Sequence, residues 1–370
     1  MKTVGIVNFH AAINYGSALL AYALQRTISD MGYDCKIINY QPKRQIECYR
    51  LPILVSRNPI KRWIESLYWG NYGEQMEQKY EKFHQFARDY MRLTPYCNDP
   101  EHINDICGIF DFYIAGGDQI WNTKCADFEW YYYLDFVKNG KKIAYAPSMG
   151  PGGSGVISND EVNKVKQEVS TFSAVAVRDR GTAEIFDSNF EIVLDPTMLL
   201  TVDEWSLLAG DKPLINGEYV FYYDPFDHDM GKLAAKEYAK KHNCKIVSSN
   251  IYIIFKKDSK TFNYNLNVGP LEFLNLVKYA KFCIGRSFHL CAFSLLFHKE
   301  FKMVDGLRDK RNLELANLLF ADVTLLRKGG GEDMVINSAD YTEIFEKRLI
   351  EQRKKSIRFL AEALNCKKVE

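Results

Sequence analysis

The chain has 370 residues, is 47% hydrophobic and 26% charged, and carries a net charge of +1. That length exceeds what one compact core organises and calls for two domains. The balanced charge excludes a general nucleic-acid binder, which needs a basic excess, and no apolar run approaches the roughly 18 residues that cross a bilayer.

The first elements form a βαβ unit. Val4, Ile6, Val7 and Phe9 read as a buried strand, and Asn14-Tyr15-Gly16-Ser17 as a turn that starts a helix. Leu20, Ala23, Leu24, Thr27, Ile28 and Met31 recur with the spacing of a core-facing helical stripe. Gly32 ends that helix, and Cys35–Tyr40 is the next strand. A helix N-terminus at the carboxyl end of a first strand is where doubly wound folds take anionic ligands. The turn is not G-x-G-x-x-G, which disfavours a dinucleotide.

Tyr49–Phe86 is basic, aromatic and helical, and reads as an insertion before the third strand. Strands follow at about Phe110–Ala115, Lys142–Ala146, Ala174–Val177 and Ile192–Leu194. Each ends in small or polar residues, as the ligand edge of a parallel sheet does. A second α/β series starts near Gly217. Its strands are Tyr219–Tyr223, Lys245–Ser248, Phe282–Gly285 and Phe301–Val304, and its helices Met230–His242, Leu271–Ala280 and His289–Phe297. Gly329-Gly330-Gly331 reads as a surface loop. Asp340–Asn365 reads as a long helix opened by Asp340-x-x-Glu343, a relative of the capping box. The expected organisation is an N-terminal α/β lobe over 1–205 with an insertion at about 49–90, a C-terminal α/β lobe over 206–335, and a terminal helical segment over 336–370.

Nine cysteines without a C-x-x-C pair suit reduced thiols rather than a disulfide framework or a zinc site. With no signal-peptide pattern at the start, a cytoplasmic protein is expected. The 23 Tyr and 23 Phe read chiefly as core, with carbohydrate stacking as the second reading.

Three constellations carry candidate chemistry. In Gly285-Arg286-Ser287-Phe288-His289 a cation, a hydroxyl and an imidazole meet a helix N-terminus. Val177-Arg178-Asp179-Arg180 places two arginines around one aspartate at a strand end, a pattern that clamps carboxylates or phosphates but also forms plain ion-pair clusters. Gly116-Gly117-Asp118-Gln119-Ile120-Trp121-Asn122 joins paired glycines to sugar-type hydrogen-bonding groups beside an indole. His10 is placed to face the same edge. No histidine spacing suggests a metal. The aromatic and basic residues Arg57, Lys61, Arg62, Trp63, Tyr68, Trp69 and Tyr72 suit a lid, with contact to a membrane surface or lipid-linked substrate as the alternative.

The blocks Asn14–Leu24, Gly116–Asn122, Ala144–Ser148, Val177–Asp179, Leu194–Thr197 and Ser287–His289, in this order, resemble the polysaccharide pyruvyl transferase family over nearly the whole chain. The resemblance implies an α/β fold of two Rossmann-like lobes similar to GT-B glycosyltransferases. By analogy with two-lobed transferases, the C-terminal helix packs back across the lobes. It implies transfer of the carboxyethylidene group of phosphoenolpyruvate to a sugar diol of a cell-surface polysaccharide or its lipid-linked repeat unit, without a cofactor or metal. In that scheme His289 and Asp118 are catalytic, and Arg178, Arg180, Arg286, Ser287, Asn14, Gly16 and Gly117 bind substrate around a cavity between the lobes. Many relatives carry an acid where this chain has Arg286 and a glycine where it has Leu290. Two other readings stand beside it: a glycosyltransferase using a nucleotide sugar, whose diphosphate suits the same cations, and a binding member of the family without turnover.

Overall fold

A computed structural model describes residues 1–51, 58–151, 157–186, 189–225, 229–250, 261–304, 309–320, 324–328 and 331–365. Gly329 and Gly330, Arg57 and Cys366, and the side chains of Tyr68 and Trp69, lie outside the described parts. The chain opens with β1 (Thr3–Val7), α1 (Tyr15–Asp30), β2 (Asp34–Ile37), α2 (Lys43–Cys48), α3 (Pro59–Tyr90), α4 (Ile103–Cys107), β3 (Phe112–Gly116) and β4 (Lys141–Tyr145). Next come α5 (Asn159–Val169), β5 (Ala174–Val177), α6 (Arg180–Ile185), β6 (Glu191–Ile192), α7 (Val202–Ala209), β7 (Tyr219–Tyr223), α8 (Asp229–His242) and β8 (Lys245–Ser248). The last are β9 (Phe262–Tyr264), α9 (Pro270–Tyr279), β10 (Phe282–Gly285), α10 (Phe288–Leu296), β11 (Phe301–Met303), α11 (Lys310–Leu319), β12 (Thr324–Lys328), β13 (Gly331–Ile336) and α12 (Glu343–Ala363).

These elements divide into two units. Unit 1 holds residues 1–49, 87–200 and 349–370, and unit 2 holds 50–86 and 201–348. The insertion therefore belongs with the second α/β series and not, as the sequence order suggests, with the first. Its side chains show why. In α3, Lys79 donates to the Ser249 carbonyl, Lys82 pairs with Glu272 at 2.6 Å, and Gln78 accepts from Asn267. The helix α12 is likewise split, with Glu343–Arg348 in unit 2 and residues from Leu349 on in unit 1. There the Ser356 hydroxyl accepts from Leu194 N, and Arg353 donates to the carbonyls of Met198 and Leu200. The capping contact expected from Asp340 to Glu343 is instead made one turn earlier, where Asn337 N donates to Asp340 Oδ2 at 2.7 Å.

Unit 1 is built on a six-stranded sheet in the order β2-β1-β3-β4-β5-β6, parallel throughout. Its central strands are buried on both faces, as helix-covered parallel strands must be; all of Phe112–Gly116 is buried. The core is aromatic. Trp121 stacks on Tyr133 at 5.3 Å and meets Phe172 and Phe186 edge-on, so its ring faces are filled by protein rather than presented to a sugar. Unit 2 has a seven-stranded sheet, β12-β13-β11-β10-β7-β8-β9, in which β13 runs antiparallel to β11 and β12. The remaining pairs are parallel.

Chain order reverses between β1 and β3 in unit 1, and between β7 and β10 in unit 2. Open α/β sheets bind ligands at such switch points, beyond the carboxyl ends of the strands.

Candidate functional site

At the switch point of unit 1, Asn14 caps α1: its Oδ1 accepts from Gly16 N at 2.9 Å and Ser17 N at 3.4 Å. The cap aims the first turn of α1 at the exit of β3. There Gly117 has φ +74° and Asp118 φ +58°, a left-handed pair that turns the chain sharply back. Two backbone bonds hold the turn, Gly117 N to Tyr145 O and Ser148 N to Asp118 O, both 2.8 Å. A Cβ on Gly117 would lie 2.6 Å from Leu20, and one on Gly116 2.2 Å from Leu24. The paired glycines therefore let α1 pack close against the exit of β3.

Asp118 is the centre of a buried charge network. Ser17 Oγ donates to its Oδ2 at 2.6 Å, and Arg178 reaches its Oδ1 at 3.7 Å. The Arg178 side chain, 2% exposed, also donates to Asp195 Oδ2 at 2.8 Å. Asp195 in turn accepts from Thr197 N and Oγ1. Arg178 is thus already engaged by two carboxylates. Asp179 caps α6 through Thr182 N and Oγ1, and Arg180 is exposed. The two arginines occupy different surroundings, Arg178 buried on carboxylates and Arg180 exposed. His10 is a bonded core residue, with Nε2 3.1 Å from Asn39 Oδ1; burial lowers its pKa.

In unit 2, Gly285 ends β10 where a Cβ would lie 1.9 Å from the Tyr223 carbonyl oxygen. Only glycine lets β10 approach β7 so closely. The same Cβ would lie 2.7 Å from Leu290 Cδ2, so the bulk of Leu290 fills space beside a residue without a side chain. Arg286 follows, half-buried, and Ser287 caps α10 by accepting from Leu290 N. His289 is buried in the first turn of that helix.

Several polar residues at these edges were not singled out from the sequence. Asn8, at the exit of β1, is fully buried, and both of its side-chain amide atoms lack hydrogen-bond partners among the described residues. In unit 2, Asp224, Ser249 and Asn250 are buried at the exits of β7 and β8, with Asp224 N donating to Asn250 Oδ1. Lys79 is fully buried beside them, and burial pulls its pKa down to about 7. Asp224 was findable, since it directly follows an apolar strand. Lys79 was not, because it sits in the helical stripe Met76, Phe83 and Phe86.

Comparison with known proteins agrees with this architecture. A family model described as polysaccharide pyruvyl transferase matches residues 14–305. No curated protein matches the sequence. Among solved structures, the S. aureus MnaA–UDP co-structure is similar with a TM-score of 0.53 at 9% identity, covering 99% of this chain and 98% of that one. UDP-GlcNAc 2-epimerase from Neisseria meningitidis bound to UDP-GlcNAc gives a TM-score of 0.48 at 11% identity over 99% and 100% of the two chains. The glycosyltransferase SnogD from Streptomyces nogalater gives 0.40 at 9% over 98% and 96%. The first of these likenesses shows the fold: an α/β protein of two sheet-based units, GT-B-like in kind.

Proposed function

Because the chain belongs to the polysaccharide pyruvyl transferase family, we propose that it transfers the carboxyethylidene group of phosphoenolpyruvate to two hydroxyls of a saccharide, releasing phosphate and leaving a pyruvate ketal. The observation that carries this reading is the placement of Arg286, Ser287 and His289 around the first turn of α10, beside the switch point of unit 2. A small ligand with a carboxylate and a phosphate needs cations and helix N-terminal N–H groups together.

The chemistry balances on these residues. Protonation of the donor's methylene carbon gives a methyl group and an electrophilic C2. A sugar hydroxyl adds there and loses its proton; the C2–O bond to phosphate breaks, and the second hydroxyl closes the ketal. One hydroxyl proton replaces the one given to carbon and the other leaves with phosphate. His289 is assigned to the proton given to carbon or to the departing phosphate. In unit 2, Arg286 and Ser287 are assigned to the donor anion; the family resemblance assigns anion binding to Arg180 and the orienting of a saccharide hydroxyl to Asp118, both in unit 1. Arg178 keeps Asp118 in place through the shared network. Phosphoenolpyruvate is the only donor in this scheme, and no cofactor takes part in it.

The acceptor we propose is a cell-surface polysaccharide or its lipid-linked repeat unit, modified by a cytoplasmic enzyme at the inner membrane face. On α3, Ile60, Trp63 and Leu67 are 71%, 63% and 55% exposed. Their i, i+3, i+7 spacing puts them on one helical face, with Lys61 and Arg62 exposed beside it; this supports surface contact. No helix among the described residues is long and apolar enough to cross a membrane.

The test is phosphate release from phosphoenolpyruvate in the presence of saccharide acceptors. Acceptor-dependent release supports the reading. Turnover of a nucleotide sugar instead would move the protein to glycosyl transfer, and binding of phosphoenolpyruvate without release would make it a binding member of the family.

A further inference from the structure

His289 ends a short stack of side chains in unit 2. Asp309 caps α11 and takes Arg311 in a two-pronged grip, with Arg311 Nε on Oδ1 at 2.8 Å and a terminal nitrogen on Oδ2 at 2.7 Å. The gripped guanidinium lies over the Phe288 ring at 5.7 Å. Phe288 meets the His289 imidazole edge-on, with ring centres 5.4 Å apart and planes at 88°. Arg311, Phe288 and His289 are all buried. Because Asp309 neutralises Arg311, the stack contributes shape and little net charge.

We propose that Arg311 is a positioning residue for His289: it pins the Phe288 ring, and the pinned ring fixes the direction of the imidazole. Three features support this. A planar guanidinium held by a carboxylate fork has little rotational freedom left. An aromatic face under a cation is held by the ring quadrupole. Phe288 and His289 are consecutive in the first turn of α10, so any swing of one ring sweeps the space of the other. A histidine that moves a proton must stand within hydrogen-bond reach of the reacting atom, and a small misplacement is costly. The effect on turnover rests on the pyruvyl-transfer reading; the effect on the imidazole does not.

The test uses Arg311→Lys, which keeps the charge opposite Asp309 but loses the fork and the flat stack, together with Phe288→Leu, which removes the intermediate ring. Histidine ring resonances are read by NMR in the free full-length protein, with His289→Gln giving the assignment. In both variants the His289 resonance should move or broaden relative to the parent, while the other histidines hold their positions. In turnover, both should lower kcat by about 10–10²-fold with little change in KM for phosphoenolpyruvate. A His289 resonance identical to that of the parent in Arg311→Lys overturns the proposal. So does unchanged kcat in a parent that releases phosphate. If the parent releases no phosphate while the resonance responds, the pyruvyl-transfer reading fails and the positioning role stands.

Discussion

Ser17 Oγ lies 2.6 Å from Asp118 Oδ2, so the first turn of α1 holds a carboxylate that the exit of β3 presents in a left-handed turn. A hydroxyl donating to a charged acceptor contributes about 1.5–3 kcal/mol. Ser17→Ala should therefore lower stability by that order in a urea titration. It should also slow turnover, since Asp118 loses one of the contacts that orient it. Loss of stability with turnover unchanged would take Asp118 out of the reaction and leave it a purely structural acid.

The neighbouring arginines should behave differently. Arg178 is buried between Asp195 and Asp118, and removing it leaves two carboxylates without their cation. Arg178→Ala should cost about 3–5 kcal/mol, the usual penalty for breaking a buried pair. Arg180→Ala, on an exposed side chain, should change stability by no more than about 0.5 kcal/mol and register only in donor affinity. Denaturation curves and calorimetric titration with phosphoenolpyruvate separate the two effects.

Lys79 makes stability depend on pH with a definite sign. Burial puts its pKa at about 7 in the fold, against 10.5 for a free lysine. Between those values the unfolded chain binds a proton that the folded one lacks, so stability rises with pH. The penalty is complete below pH 7 and fades toward pH 10.5, with a span on the order of 4–5 kcal/mol. Lys79→Met should raise stability at pH 7 and flatten this slope. A slope unchanged in Lys79→Met would assign the pH dependence to other groups.

These contrasts mark what the sequence could and could not disclose. Strands β5, β7, β8 and β10 match their sequence-read bounds to the residue, because parallel strands buried on both faces are continuous apolar runs between polar exits. Asn14, Arg178, Arg286 and His289 were legible as strand-exit residues for the same reason. Pairing was not legible. The partner of Arg178 is Asp195, 17 positions away, and Lys79 meets Ser249 across 170 positions; no local pattern encodes either contact. Gly117 was equally opaque in this respect, since the space its missing side chain leaves is filled by Leu20 from α1, about a hundred positions earlier in the chain. The antiparallel pair β12–β13 went unread beside a glycine run taken as loop.

The exposed stripe of α3 separates two kinds of acceptor. If Ile60, Trp63 and Leu67 contact a membrane or a lipid-linked saccharide, Trp63→Ala should raise the KM for lipid-linked acceptor while leaving that for a free oligosaccharide unchanged. Stability should hold, because the side chain is 63% exposed and substitution at such a site costs no more than about 0.5 kcal/mol. Equal effects on both acceptors would return the stripe to some other role.

Donor chemistry gives the sharpest division of labour, between Arg286 and His289. If Arg286 holds a carboxylate or phosphate, Arg286→Ala should weaken phosphoenolpyruvate binding by about 1.5–3 kcal/mol, the contribution of a hydrogen bond to a charged group. Arg286→Lys should recover part of this and no more, because an ammonium cannot make the planar two-point contact. His289→Gln should retain donor binding, since the α10 N-terminus and Arg286 remain, and should cut turnover by roughly 10²–10⁴-fold if the imidazole transfers a proton. Calorimetry reads the first effect and phosphate release the second. Turnover of His289→Gln within a few-fold of the parent would remove the imidazole from the mechanism. The edge of β10 would then be a plain anion site, as well suited to the diphosphate of a nucleotide sugar.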